Sequence, residues 1–192
     1  MTLALALLLA LFEPPLPGSY ELPPIAQVQE RELVDASGAR VPFPGLAAGQ
    51  VSVVAFIYRG CHEAQGCPAS LALLRELDRR LARDPARAAR VRLACVSFDP
   101  AADTPARMAE LRDLMAPQSD WRFLVPDGAV ALAQVLRDFG QDVVDLPDGA
   151  KRHVMKVYLL DAQDRVRNVY ASGFLDANLV LADIDTISPP VK

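Results

Sequence analysis

Two thiols with five residues between them stand in the segment Cys61-His62-Glu63-Ala64-Gln65-Gly66-Cys67-Pro68. The apolar run at 51–58 leads directly into it and a leucine-periodic stretch follows, so the thiols fall at a strand-to-helix junction. A thiol pair there has two chemistries open to it. It can exchange electrons as dithiol and disulfide, or it can grip a soft metal ion. The bland counterpart is a structural disulfide in an exported protein. Pro68 suits a first helical turn, which predicts Cys67 at the N-cap position. The positive end of a helix dipole would ease loss of its proton there. Gly66 gives the intervening loop the backbone freedom to fold one sulfur towards the other.

His153 is the third candidate. It stands just ahead of the apolar run 154–160, after Pro147-Asp148-Gly149-Ala150. In sheets of this kind the loops at strand ends gather at one edge, where ligands bind. Two thiolates and one imidazole make a soft three-coordinate set that suits Cu(I), and Cu(II) with an added ligand. Structural zinc wants four protein ligands, and only His62 or Glu63 lies nearby to serve as a fourth. Cys95 sits inside the strand-like run 91–98 and reads as a small buried hydrophobe. Asp99 and Asp103 read as turn and capping residues. Met108, Met115 and Met155 are scattered, which argues against a Met-rich metal site, and Met108 is expected in the core.

The elements that must position these groups follow from periodicity. A hairpin is expected over 30–41, turning at 36–38, then a central strand at 51–58 that is apolar enough to be covered on both faces. Leu71, Leu74, Leu77 and Leu81 mark a helix closed by Pro85. A strand at 91–98 precedes a helix opened by Thr104 as N-cap and Pro105 at its first position. A short strand at 121–125 and a helix at 128–139, ended by Gly140, come next. The strands 154–160 and 165–170 form a closing hairpin, and a last helix runs over 175–187. Alternating strands and helices predict an α/β sheet with helices on both faces and an antiparallel edge.

The bulk properties fit one domain. The 192 residues are 52% hydrophobic and 23% charged, which supports a real core. A net charge of −4 gives no electrostatic reason to expect nucleic acid. Three cysteines are too few for a disulfide-built scaffold. Residues 3–12 are an unbroken apolar run, too short to span a membrane but of the length of a secretory h-region. No Lys or Arg precedes it and no A-x-A site follows. We expect 1–26 to be an export signal or short membrane anchor with a Pro-rich lead-in, and 27–192 to be the folded domain. Periplasmic or other extracytoplasmic residence would put the thiols in an oxidising compartment.

Four stretches, in order, resemble the Sco/SenC proteins: 56–68, with an aromatic strand before a cysteine pair ending in Cys-Pro; Val96-Ser97-Phe98-Asp99-Pro100 followed by Asp103-Thr104-Pro105; Trp121-Arg122-Phe123-Leu124; and His153 before Val157-Tyr158-Leu159-Leu160-Asp161. The resemblance covers roughly 30–187. It implies a thioredoxin-like α/β fold, with a central mixed sheet, helices on both faces and an N-terminal hairpin. It also implies a copper chaperone of cytochrome c oxidase assembly, with Cys61, Cys67 and His153 on one copper ion and a copper-receiving protein such as an oxidase subunit as partner. The family has three residues between its cysteines where this chain has five. The two extra residues enlarge the loop and bring His62 and Glu63 into consideration as ligands.

Three functions therefore compete. One is copper delivery. A second is a thiol–disulfide oxidoreductase cycling Cys61 and Cys67 with an exchange partner. The third, a peroxidase of the peroxiredoxin kind, needs a Thr ahead of the reactive cysteine. Here Tyr58-Arg59-Gly60 stands in that place, so it ranks last.

Overall fold

The structure is a computed structural model that describes residues 13–61, 66–147, 151–171 and 173–189. Its centre is built from two strongly apolar segments. β4 (Val51–Ile57) and β5 (Val91–Ser97) pair in parallel, and every residue of both is buried. Strands rich in β-branched residues and covered on both faces need no polar alternation. β6 (Trp121–Val125) extends the parallel set beside β5. On the other side, β9 (Lys156–Leu160) runs antiparallel to β4, and β10 (Arg165–Ala171) folds back on β9 through a turn in which Asp164 takes φ 57°. The N-terminal hairpin of β2 (Arg31–Asp35) and β3 (Arg40–Phe43) joins the far edge through β6. Together with β1 (Ala26–Gln27), the order is β1-β10-β9-β4-β5-β6-β2-β3, one eight-stranded mixed sheet.

Helices cover both faces, as expected. α1 (Cys67–Leu81) packs on β4 and buries Leu74, Leu77 and Leu81, each burial stabilising by roughly 1.5–3 kcal/mol. α3 (Pro105–Met115) lies over β6 and β2. On the opposite face α4 (Gly128–Phe139) sets Phe139 against Phe43, Phe56 and Tyr158. α5 (Ala177–Ile187) packs beside α1. Met108 is fully buried, in the core as expected.

Local signals set the helix ends. Thr104 accepts the Arg107 backbone N–H at the start of α3, with Pro105 at its first position. Gly140 ends α4 in the left-handed region at φ 58°. Three details differ from expectation. Pro85 does not simply stop α1. It opens a further short helix, α2 (Pro85–Ala88), capped by Asp84. The lead-in contributes β1, held against β10. The segment expected as plain loop ahead of β9 forms a ribbon of its own, β7 (Val143–Asp145) with β8 (Lys151–His153). The apolar run 3–12 lies outside the described residues, and no described helix is long and apolar enough to cross a membrane.

Candidate metal and thiol centre

β4 delivers the chain to the carboxyl end of the parallel strands, where Tyr58 begins a tight turn closed by the Cys61 backbone N–H donating to the Tyr58 carbonyl, 3.2 Å. That turn is pinned from below. The Arg59 backbone N–H donates to Asp103 Oδ2 at 3.1 Å, and the Arg59 guanidinium reaches Glu110 and the Arg107 carbonyl on α3. Asp103, only 2% exposed, also accepts from Ser97 Oγ at 2.8 Å. Burial pushes the Asp103 carboxyl above the ordinary carboxylate range, with these two hydrogen bonds pulling the other way. Asp103 is thus a brace between the end of β5, the start of α3 and the cysteine turn, a larger role than the capping one expected of it.

Cys67 is the first residue of α1. The cap is Gly66, whose carbonyl accepts from Ala69. This corrects the N-cap expectation. The acidity expectation is corrected with it: burial holds the Cys67 thiol well above the ordinary range, only partly offset by a backbone hydrogen bond from Tyr58, and contact with Cys61 raises it further. With the side chain 2% exposed, loss of water outweighs the helix dipole. Cys61, at 9% exposure, lines the same cavity of about 230 Å³ as Cys67, walled by Tyr58, Pro68, Leu71 and Leu111. Both are free thiols, as is Cys95. Cys95 is buried away from them in β5, where the Trp121 indole N–H donates to its sulfur at 3.2 Å. The small-hydrophobe reading of Cys95 holds.

His153 ends β8 and pairs with Val143 across the ribbon, on a strand rather than in the loop expected. Its ring lies 4.7 Å from that of Phe98 and 6.1 Å from that of Tyr58. Nδ1 faces the Lys151 carbonyl at 3.4 Å, and Nε2 is buried with no hydrogen-bond partner among the described residues. Lys151 anchors the strand. Its ammonium bonds Asp145 at 2.6 Å and lies 3.7 Å from Asp99. Burial lowers the Lys151 pKa, but the two carboxylates outweigh that and leave it above the ordinary lysine value. The structure therefore brings Cys61 and Cys67 together and sets His153 on a neighbouring strand, against an aromatic ring that borders their cavity. Among the described residues no three His, Cys, Asp or Glu side chains are close enough together to hold a metal ion. His62 and Glu63 lie outside the described residues.

Sequence reasoning passed over Tyr58, whose ring touches both halves of this centre. The signal was present in an aromatic residue at a strand exit three positions before a cysteine, with Arg59 and Gly60 between them.

The donors suit a soft ion: two sulfurs and an imidazole whose Nε2 is buried without a partner. Comparison with known proteins is consistent in fold. The SCO1/SenC family matches residues 25–188. A SCO1/SenC family lipoprotein from Bacillus anthracis superposes with TM-score 0.76 at 19% identity, over 88% of this chain and 99% of that one. Copper-bound ScoI of Bradyrhizobium japonicum superposes with TM-score 0.65 at 23% identity, over 82% and 98%. BsSco, described as a Sco family cytochrome c oxidase assembly protein with a disulfide switch, superposes with TM-score 0.72 at 22% identity, over 88% and 98%. These likenesses establish the thioredoxin-like mixed sheet. No curated protein matches the chain.

Proposed function

This chain belongs to the SCO1/SenC family, and from that membership we propose that it carries copper on Cys61, Cys67 and His153 and passes it to a copper-receiving protein such as an oxidase subunit. The observation that carries the reading is the orphaned, buried Nε2 of His153 beside the ring that walls the sulfur cavity. A buried imidazole nitrogen without a partner is costly unless something supplies one. Copper is the cargo. Two thiols lose their protons to hold it, and the imidazole completes a soft set. Solved Sco neighbours hold copper, which supports the choice of metal. An extracytoplasmic site of work, with the chain tethered through 1–26, is consistent with a neighbour described as a lipoprotein.

A second reading rests on the adjacency of Cys61 and Cys67. As a dithiol the pair would reduce a partner disulfide, giving up two electrons and two protons and closing its own S–S bond. The two activities are compatible, since copper loading needs reduced sulfurs.

The test is His153→Ala in reduced protein, titrated with Cu(I) against a competing chelator. Cu(I) affinity should fall at least tenfold, about 1.4 kcal/mol, while the rate of disulfide exchange changes little. Unchanged Cu(I) affinity would remove His153 from the ligand set. Free thiols that stay countable after copper addition would remove the cysteines.

A further inference from the structure

The ring of Tyr58 is held in a built seat. It packs on Phe98 at 5.0 Å between centroids and meets the His153 ring edge-on at 6.1 Å. It also borders the cavity that holds Cys61 and Cys67. Gly60 makes room for it: a Cβ there would lie 3.2 and 3.3 Å from Tyr58 Cε2 and Cδ2, tighter than ordinary contact. Gly60 therefore serves here by close approach to the ring. Meanwhile Nε2 of His153 stays unpartnered, and the three donors are not gathered.

We propose that Tyr58 is a positioning residue whose ring holds the imidazole and the sulfur pair apart, and that it leaves this seat before one soft ion is shared by all three. The inference rests on the ligand set proposed above. One χ1 rotation moves the ring, and the adjoining cavity of about 230 Å³ is the space beside it. Tyr58 thereby sets the rate of metal uptake and not the identity of the metal.

The experiment uses the reduced full chain as wild type, Tyr58→Phe, Tyr58→Leu and Tyr58→Ala. Cu(I) is presented as its coloured bicinchoninate complex, and uptake is followed by loss of colour in stopped flow. The Leu and Ala variants should take Cu(I) at least tenfold faster than wild type, and the Phe variant should stay within twofold, since it keeps the ring. A readout without metal accompanies it: iodoacetamide should modify Cys67 faster in the Leu and Ala variants than in wild type or Phe. Circular dichroism checks the fold, and Tyr58→Leu carries the test if Tyr58→Ala does not fold. Equal or slower uptake in the Leu variant overturns the proposal, as does unchanged alkylation or a Phe variant as fast as Leu. If no protein, wild type included, takes Cu(I), the copper reading falls and this one with it. Binding at equal rates sinks this one alone.

Discussion

At the scale of single residues, burial governs the thiols. Cys67 and Cys95 are both pushed up by loss of water, Cys95 to about 12 with the Trp121 hydrogen bond acting against the rise. In the unfolded chain each titrates near 8.5. Above that pH the unfolded state loses protons that the native state keeps, so stability falls as pH rises. The contribution is intact below about pH 8 and is lost progressively above it, at up to about 1.4 kcal/mol per pH unit for each thiol. Tyr20, Tyr158 and Tyr170 are also raised, but they begin to contribute only near pH 10. Urea midpoints of the reduced protein should therefore drop between pH 8 and 9.5, and the double variant Cys67→Ser/Cys95→Ala should show a flatter profile. A midpoint that holds constant across that window in the parent would mean that these thiols ionise as freely in the fold as out of it.

Elements position the centre, and the brace between them is Asp103. Both of its hydrogen bonds, from the Arg59 backbone and from Ser97 Oγ, fall on one oxygen, Oδ2. An amide oxygen can accept the same two, and burial already disfavours the charge. Asp103→Asn should thus lose less than about 1 kcal/mol, whereas Asp103→Ala strands two buried donors and should lose about 2–3 kcal/mol. Chemical denaturation separates the two. Similar losses for Asn and Ala would mean that the charge, not the acceptor, holds the cysteine turn. The same scale explains what was legible in the residues. α3 and α4 were readable because their signals are local: Thr104-Pro105 at one start and Gly140 at one end. The hairpin β2–β3 and the strands β4 and β5 were readable from composition. β1, β7 and β8 were not, because strands of two or three residues carry too little periodicity to read, and β1 also depends on β10, far along the chain. That loss matters for the site, since β8 carries His153. The thiol of Cys67 was misjudged for a related reason: the helix end can be read locally, but burial depends on Tyr58 and Leu111 arriving from other elements. The pairing of the two cysteines was legible, and the ring beside them was not.

At the scale of the whole molecule, the lead-in and the cysteines occupy opposite ends of the sheet. Cys61 follows the carboxyl end of β4. The lead-in is fixed at the other end. The Gly18 backbone N–H donates to Thr186 near the close of α5, and Ser188 just beyond reaches the Gly49 carbonyl before β4 begins. β4 alone, at about 3.3 Å per residue, puts roughly 20 Å between the two ends. An anchor ahead of residue 13, as proposed above, would therefore pull on the far end and leave the cysteine edge unencumbered. The strap is secured by Asp183, which is 1% exposed and accepts from Tyr20 at 2.5 Å, Tyr170 at 2.6 Å and Asn168 at 2.8 Å. Tyr20→Phe removes one of three donors and leaves the carboxylate served by the other two, so it should cost about 1 kcal/mol. Asp183→Ala strands the buried Tyr170 hydroxyl and the Asn168 amide together and should cost about 3 kcal/mol. Neither should change Cu(I) affinity, because neither Tyr20 nor Asp183 lines the cavity of Cys61 and Cys67. Urea denaturation and chelator competition on the same two variants test both halves of this claim. A Tyr20→Phe protein of full stability but weakened copper binding would mean that the strap acts on the site through the sheet and does not merely close the opposite end of the fold.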